Sequence, residues 1–272
     1  MSILLIDVGN SRAKCCLVNR KTALATRQQA FHHSEIGQLK TWLQRQQCLP
    51  EAVYGVNVAG AAAREAVAHA VPKPIPMHWL ESQAQTLHLK NSYMDPGALG
   101  ADRWFAMLGV SAHSQTQTQA LVLASFGTAT TVETIYKNRF LGGVITPGLQ
   151  MMAKSLKSGT AQLPEVGWEY HNAGNFPTST DDAITQGIIA AQVGTVIKQW
   201  YATYDYTETL PELVISGGAF PSIFQELQDA LQSAVKRLGF DTMKLRVFED
   251  AVLEGLRIYV QAAHFAAASS SI

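Results

Sequence analysis

Charge is scarce in this sequence: Asp, Glu, Lys and Arg make up 15% of 272 residues, and 21 basic side chains cancel 21 acidic ones. Without a net field, nothing draws nucleic acid or anionic lipid non-specifically, so neither is expected as a partner. Cysteine is scarcer still. Three thiols cannot form a disulfide framework, and the neighbours Cys15 and Cys16 would face opposite sides of a strand, which suits a reducing compartment. No apolar run reaches the ~18 residues of a membrane helix, and the first stretch meets Asp7 before any signal-peptide length. The longest uncharged stretch, Trp104 to Val132, is broken by Ser114-Gln115-Thr116-Gln117-Thr118-Gln119, which reads as a connecting loop. A cytoplasmic protein is expected.

Several chemistries lack their signatures. No Gly-Lys dipeptide occurs, hence no Walker A loop, and no G-x-G-x-x-G fingerprint is present. No H-E-x-x-H or C-x-x-C spacing supports a zinc site, and His32-His33 reads as surface.

What is present is a folding chain. Hydrophobic residues reach 47%, and the length exceeds the roughly 100–200 residues of a typical domain, which predicts an α/β protein with a large core or two similar lobes. The first half reads as strands near 3–7, 15–18 and 22–29, and a helix capped by Ser34 with Ile36, Leu39, Trp42 and Leu43 on one face. A strand at 53–58, a helix at 61–70 and a strand after Pro72 and Pro74 follow. The second half begins again with the same order and adds a long helix from Asp181 to Tyr201, a strand at 213–216, a helix beyond Pro221, a strand at 245–248 and a closing helix. Lobes at 1–117 and 118–272 are expected.

Leu5-Ile6-Asp7-Val8-Gly9-Asn10-Ser11 aligns with Leu123-Ala124-Ser125-Phe126-Gly127-Thr128-Ala129, an internal repeat with its glycines matched. In the first turn, Asp7 to Lys14 combines a strand-end carboxylate with a Cβ-free residue and small polar residues, able to aim N–H groups at phosphate. Asp7 suits Mg²⁺ through water, and Lys14 a phosphate. An ordinary β-hairpin uses the same residues. The second turn adds Thr128, Thr130 and Thr131. Two such turns facing each other across a cleft make a nucleotide clamp, the arrangement of duplicated ribonuclease H-like lobes in the actin, Hsp70 and sugar kinase superfold. A third glycine element, Ser216-Gly217-Gly218, suits a nucleoside contact or a plain strand-to-helix connection.

The most distinctive segment is Tyr93-Met94-Asp95-Pro96-Gly97-Ala98-Leu99-Gly100-Ala101-Asp102-Arg103. Asp102 at a helix start stays ionised beside the dipole and is placed to take a hydroxyl proton during phosphoryl transfer, with Arg103 as an anion anchor. A capping Asp102 with a solvated Arg103 is the alternative.

The chain resembles type III pantothenate kinases along nearly its whole length. Four blocks carry the likeness in order: Asp7 to Ser11, Tyr93 to Arg103, Gly127 to Thr131, and Gly142 to Gly148 followed by Thr160 to Pro164. The resemblance implies ATP-dependent phosphorylation of pantothenate, the first step of coenzyme A synthesis, with Mg²⁺ on the nucleotide. It implies that Asp7, Val8, Gly9, Asn10, Ser11, Arg12, Ala13, Lys14 and Thr128 bind ATP, and that Asp102 accepts the proton. Tyr93, Gly100, Ala101, Asp102, Arg103 and Thr180 would meet pantothenate, Thr180 competing as a helix N-cap, and a homodimer would complete the pantothenate site. Two departures stand out. Ser125 replaces the usual aspartate that binds a monovalent cation, K⁺ or NH₄⁺, so potassium dependence is expected to be weak or rebuilt differently, and Glu133 stands where an aspartate is usual. The resemblance leaves two further readings: a regulatory protein like the Bvg accessory factor, and an ATPase or phosphatase of the same superfold.

Overall fold

The structure, a computed structural model, describes residues 2–20, 22, 24–46, 49–166 and 174–269, with the side chains of 264–269 excepted. Cys48 lies outside the described residues. In chain order the elements are strands β1 (Ser2–Val8), β2 (Arg12–Asn19) and β3 (Ala25–His32), helix α1 (Gln38–Arg45), strand β4 (Ala52–Asn57), helix α2 (Ala61–Ala70), strands β5 (Met77–Trp79), β6 (Gln85–Thr86) and β7 (Leu89–Asn91), and helix α3 (Ala101–Ser111). There follow β8 (Leu121–Phe126), β9 (Ala129–Tyr136), β10 (Arg139–Pro147), α4 (Leu149–Gly159), α5 (Thr180–Thr207), β11 (Glu212–Ser216), α6 (Phe224–Arg237), β12 (Leu245–Val247) and α7 (Ala251–Ser269). No helix among the described residues is long and apolar enough to cross a membrane.

The chain forms two compact units: one holds the described residues up to His113 and those from Asp250 on, the other Ser114–Glu249. Against lobes expected at 1–117 and 118–272, the closing helix packs in the first unit, against α3 and β1.

In the first unit the strands run β3-β2-β1-β4-β5, with β1 antiparallel to β2 and parallel to β4. Period-2 alternation splits β1 between two cores. Leu4, Ile6 and Val8 join Ala13, Cys15 and Leu17 of β2 in a cluster with Leu39 and Leu43 of α1 and Val67 of α2. The odd residues Ile3 and Leu5 are equally buried. Cys15 and Cys16 are both buried and free, alternating as a strand requires.

The second unit repeats this pattern, β10-β9-β8-β11-β12, with β8 antiparallel to β9 and parallel to β11. Its core sets Val122, Ala124 and Phe126 of β8 against Ile188, Val196 and Trp200 of α5 and Leu227 and Leu231 of α6. Position for position, β1-β2-β3-β4-β5 correspond to β8-β9-β10-β11-β12. The aligned glycines, Gly9 and Gly127, both follow the first strand of their unit.

Local departures have physical causes. Ser34 lies inside a 3₁₀ turn, His33–Glu35, and α1 starts three residues after it from Gly37 without a side-chain cap. Helix α4 occupies a stretch for which the sequence reading gave no element; its spacing of Leu149, Met152, Ala153 and Leu156 is helical and packs on the second core.

Candidate functional site

The first glycine turn is a tight hairpin. Val8 pairs with Ala13 and Asp7 with Lys14, and Gly9 N–H donates to Arg12 O at 3.1 Å. Val8 and Ala13 are fully buried, so they offer a ligand only backbone, while Asn10, Ser11 and Arg12 are exposed. His33, read as surface from sequence, is half-buried and its Nε2 lies 2.9 Å from Gly9 O, where the Nε2–H tautomer donates and braces the turn.

Asp7 Oδ1 is shut off from solvent without a hydrogen-bond partner. Burial, and secondarily the Asp102 charge, push its pKa up to about 7, with Asp250 adding and Lys14 opposing. Lys14 Nζ meets Asp250 Oδ1 at 2.6 Å, and the other oxygen of Asp250 accepts from Gln28 Nε2 on β3. Burial disfavours the Asp250 charge, but those bonds and the Lys14 and Arg12 charges outweigh it and hold its pKa below the usual carboxylate range.

The Tyr93 to Arg103 segment enters α3 through a 3₁₀ turn, Pro96–Ala98, where Asp95 Oδ1 accepts from Gly97 N–H at 3.0 Å. Ser82 fastens it from below: its hydroxyl lies 2.7 Å from Pro96 O and 2.5 Å from Leu99 O. Asp102 sits in the first turn of α3, and its Oδ1 accepts from Arg103 N–H at 2.8 Å. A Cβ on Gly100 would lie 2.7 Å from that oxygen, so any larger residue there would displace the carboxylate from this position. Burial raises the Asp102 pKa, while the Arg103 N–H and guanidinium restrain the rise. Arg103 Nη1 donates to Tyr93 Oη at 3.1 Å, and its guanidinium lies 5.9 Å from the Tyr93 ring centre. A base, a cation and a phenol thus stand together at one helix start.

In the second unit, Phe126 pairs with Thr130 and Gly127 N–H donates to Ala129 O at 3.0 Å, a hairpin one residue shorter than the first, and Thr128 is exposed. Gly148 N–H donates to Thr128 O at 3.0 Å, and a Cβ on Gly148 would lie 2.4 Å from Gly127 O, so the next turn presses on this one. Buried Gln192 of α5 anchors that support through a 2.8 Å bond from Nε2 to Pro147 O. Ser125 is half-buried, between Thr131 and Ser216 on the neighbouring strands. Glu133 is buried opposite Gly143, where an added Cβ would fall 2.0 Å from Glu133 Oε2: the missing side chain makes room for the longer carboxylate. Gly217, at φ 98°, is required by the close approach of Phe126 O, 2.1 Å from a would-be Cβ. Thr180 opens α5 but does not cap it; Ser179 does, accepting from Asp182 N–H at 3.2 Å.

The structure therefore brings Asp7, Lys14, Tyr93, Asp102 and Arg103 into the first unit and Thr128 and Thr180 into the second. Sequence reasoning missed Asp250, Ser82, His33 and Gln192, whose partners lie far along the chain with no spacing signal to announce them.

Among known proteins, a type III pantothenate kinase of Bordetella pertussis is 38% identical over 260 residues, covering 93% of this chain and 96% of its own length. A structure from Campylobacter jejuni, described as a Baf family transcriptional activator, matches at 17% identity with a TM-score of 0.54, covering 96% of this chain and 99% of its own. A ROK family protein from Streptococcus pneumoniae, solved with sucrose, matches at 12% identity and a TM-score of 0.52, covering 97% and 100%. The two structures show fold alone, that of the actin, Hsp70 and sugar kinase superfold. With residues 3–202 also matching the model of the type III pantothenate kinase family, the chain belongs to that family.

Proposed function

We propose that this kinase transfers the γ-phosphoryl group of ATP to the primary hydroxyl of pantothenate, giving 4′-phosphopantothenate and ADP. The observation that carries the reading is Asp102: a carboxylate at a helix start, its pKa raised by burial, beside the Arg103 and Tyr93 pair. As the hydroxyl oxygen bonds to the γ-phosphorus, the bond to the β,γ-bridging oxygen breaks and the hydroxyl proton passes to Asp102. Arg103 and Tyr93 suit the carboxylate and polar groups of pantothenate, Gly100 and Ala101 offer close backbone, and Thr180, relieved of capping by Ser179, keeps its hydroxyl for substrate. The turns at 7–14 and 127–129 bind phosphates through backbone N–H groups, Lys14 and Thr128.

The residues fit Mg²⁺: Asp7 Oδ1 is a buried hard oxygen with no partner, which a metal-bound water satisfies. Bound with the nucleotide, Mg²⁺ supplies charge neutralisation on the phosphates. Ser125 offers a monovalent cation only a neutral oxygen, so potassium dependence is expected to be weak or rebuilt from other groups. Val144, Ile145 and Met151 of the second unit are exposed apolar side chains, consistent with a homodimer, and a cytoplasmic location completes the reading. The regulatory alternative rests on Ser125 alone.

The test is coupled ADP release with ATP, Mg²⁺ and pantothenate, with and without potassium. Pantothenate-dependent turnover is expected, falling on the order of 10²–10⁴-fold in Asp102→Asn. Full turnover in that variant, or ADP release that ignores pantothenate, overturns the reading.

A further inference from the structure

We propose that Asp250 is a positioning residue of the kinase, holding the Lys14 ammonium at the first phosphate-binding turn and acting on the nucleotide only through it. The inference rests on Lys14 as a phosphate contact. Asp250 lies beyond the span 3–202 of the family match and 236 residues from Lys14.

Lysine carries three rotatable N–H donors on a flexible four-carbon stem, so an ammonium at a phosphate site is useful only if something orients it. One donor goes to Asp250 Oδ1 at 2.6 Å, which leaves two for an incoming phosphate. Gln28 Nε2 donates to the other Asp250 oxygen, which restrains the carboxylate in this orientation. The two side chains are 30% and 29% exposed. At that exposure an ion pair adds little to stability, which makes orientation its more substantial effect.

The backbone supports the assignment. Asp250 sits at φ 49°, a left-handed conformation that a side chain adopts at a cost, immediately before α7. An aspartate preceding a helix ordinarily turns its oxygens onto the first N–H groups of that helix. Here both oxygens reach across to the sheet instead, one to β2 and one to β3, while the backbone carbonyl accepts from Glu254 N–H at 3.0 Å. Lys14 is also the strand partner of Asp7, so fixing its head fixes the cation nearest the buried carboxylate along the turn.

Steady-state kinetics with ATP varied at saturating pantothenate test this on Asp250→Asn, Lys14→Met, the double variant and Gln28→Leu. Asparagine tolerates the left-handed backbone, so Asp250→Asn removes the charge without forcing the helix start to move, and thermal unfolding checks that each variant folds. Loss of the charged hydrogen bond is expected to raise KM for ATP about tenfold in Asp250→Asn, with kcat and the pantothenate KM within about twofold. Gln28→Leu should raise it less, and the double variant should match Lys14→Met, since a residue acting through another has no effect once that other is gone. Multiplying effects in the double variant, an unchanged ATP KM in Asp250→Asn, or a lowered one, which would mark a competitor for Lys14, overturn the proposal while leaving Lys14 as a phosphate contact. An unchanged ATP KM in Lys14→Met overturns that underlying reading as well.

Discussion

Asp7 carries a potential charge where solvent does not reach one of its oxygens, and its neighbours Asp102 and Asp250 share its sign. Its folded-state pKa of about 7 lies above the ordinary carboxylate value of 3.8, so the folded protein binds this proton more tightly than the unfolded chain. Stability from this group is then fully present below pH ~4 and lost as pH rises through ~7. In urea unfolding with EDTA present, Asp7→Asn should match the wild type near pH 4 and exceed it near pH 8 by on the order of a few kcal/mol. An advantage that is constant with pH would show that Asp7 ionises freely. The same desolvation that weakens the apo protein leaves a carboxylate eager for a hydrated cation. The residue types of this site were legible because carboxylates, glycines and threonines recur at strand ends. Which nitrogen or hydroxyl faces each was not, since Asp250 and Ser82 reach it only through the folded backbone.

At the scale of elements, α3 and α7 cross so closely that backbone touches backbone. A Cβ on Gly255 would lie 1.9 Å from Phe105 O, and one on Gly109 would lie 2.4 Å from Ala251 O. Small residues at the crossing therefore fix the depth of α3, and with it the position of Asp102 in its first turn. Gly255→Ala is expected to destabilise the protein by about 1–3 kcal/mol or more in chemical denaturation and to lower kcat, because α3 must shift to admit one methyl group. Unchanged stability and kcat would mean that α3 is held by its other neighbours. Strands and the long α5 were readable from alternation and helical spacing. Helix α4 was obscured because its entry, Pro147-Gly148, is punctuation in sequence terms, yet Gly148 is there to press against Gly127 and Thr128. The Ser34 cap was misplaced because local hydrogen-bonding capacity does not decide where a 3₁₀ turn yields to a helix.

The whole molecule is a duplicated fold whose repeat showed first as matched glycines and then as matched strand orders. Sequence assigned the closing helix to the second lobe, because an apolar helix with a small-residue stripe carries no label for the sheet it covers. Val144 and Ile145 on β10 and Met151 on α4 remain exposed, at 38%, 60% and 44%. Sedimentation velocity is expected to give twice the mass of one chain, and Ile145→Asp to shift the protein toward monomer; a monomeric wild type would refute the homodimer.

The membership of α7 in the first unit also orders events during synthesis. A ribosome releases Ser114–Glu249 as a continuous segment that can fold as it emerges, whereas the unit bearing Asp7 and Asp102 waits for residues from Asp250 on. The older half of the chain is therefore the later one to mature, and until α7 arrives its β1 and α3 stand as surfaces for a chaperone to shield.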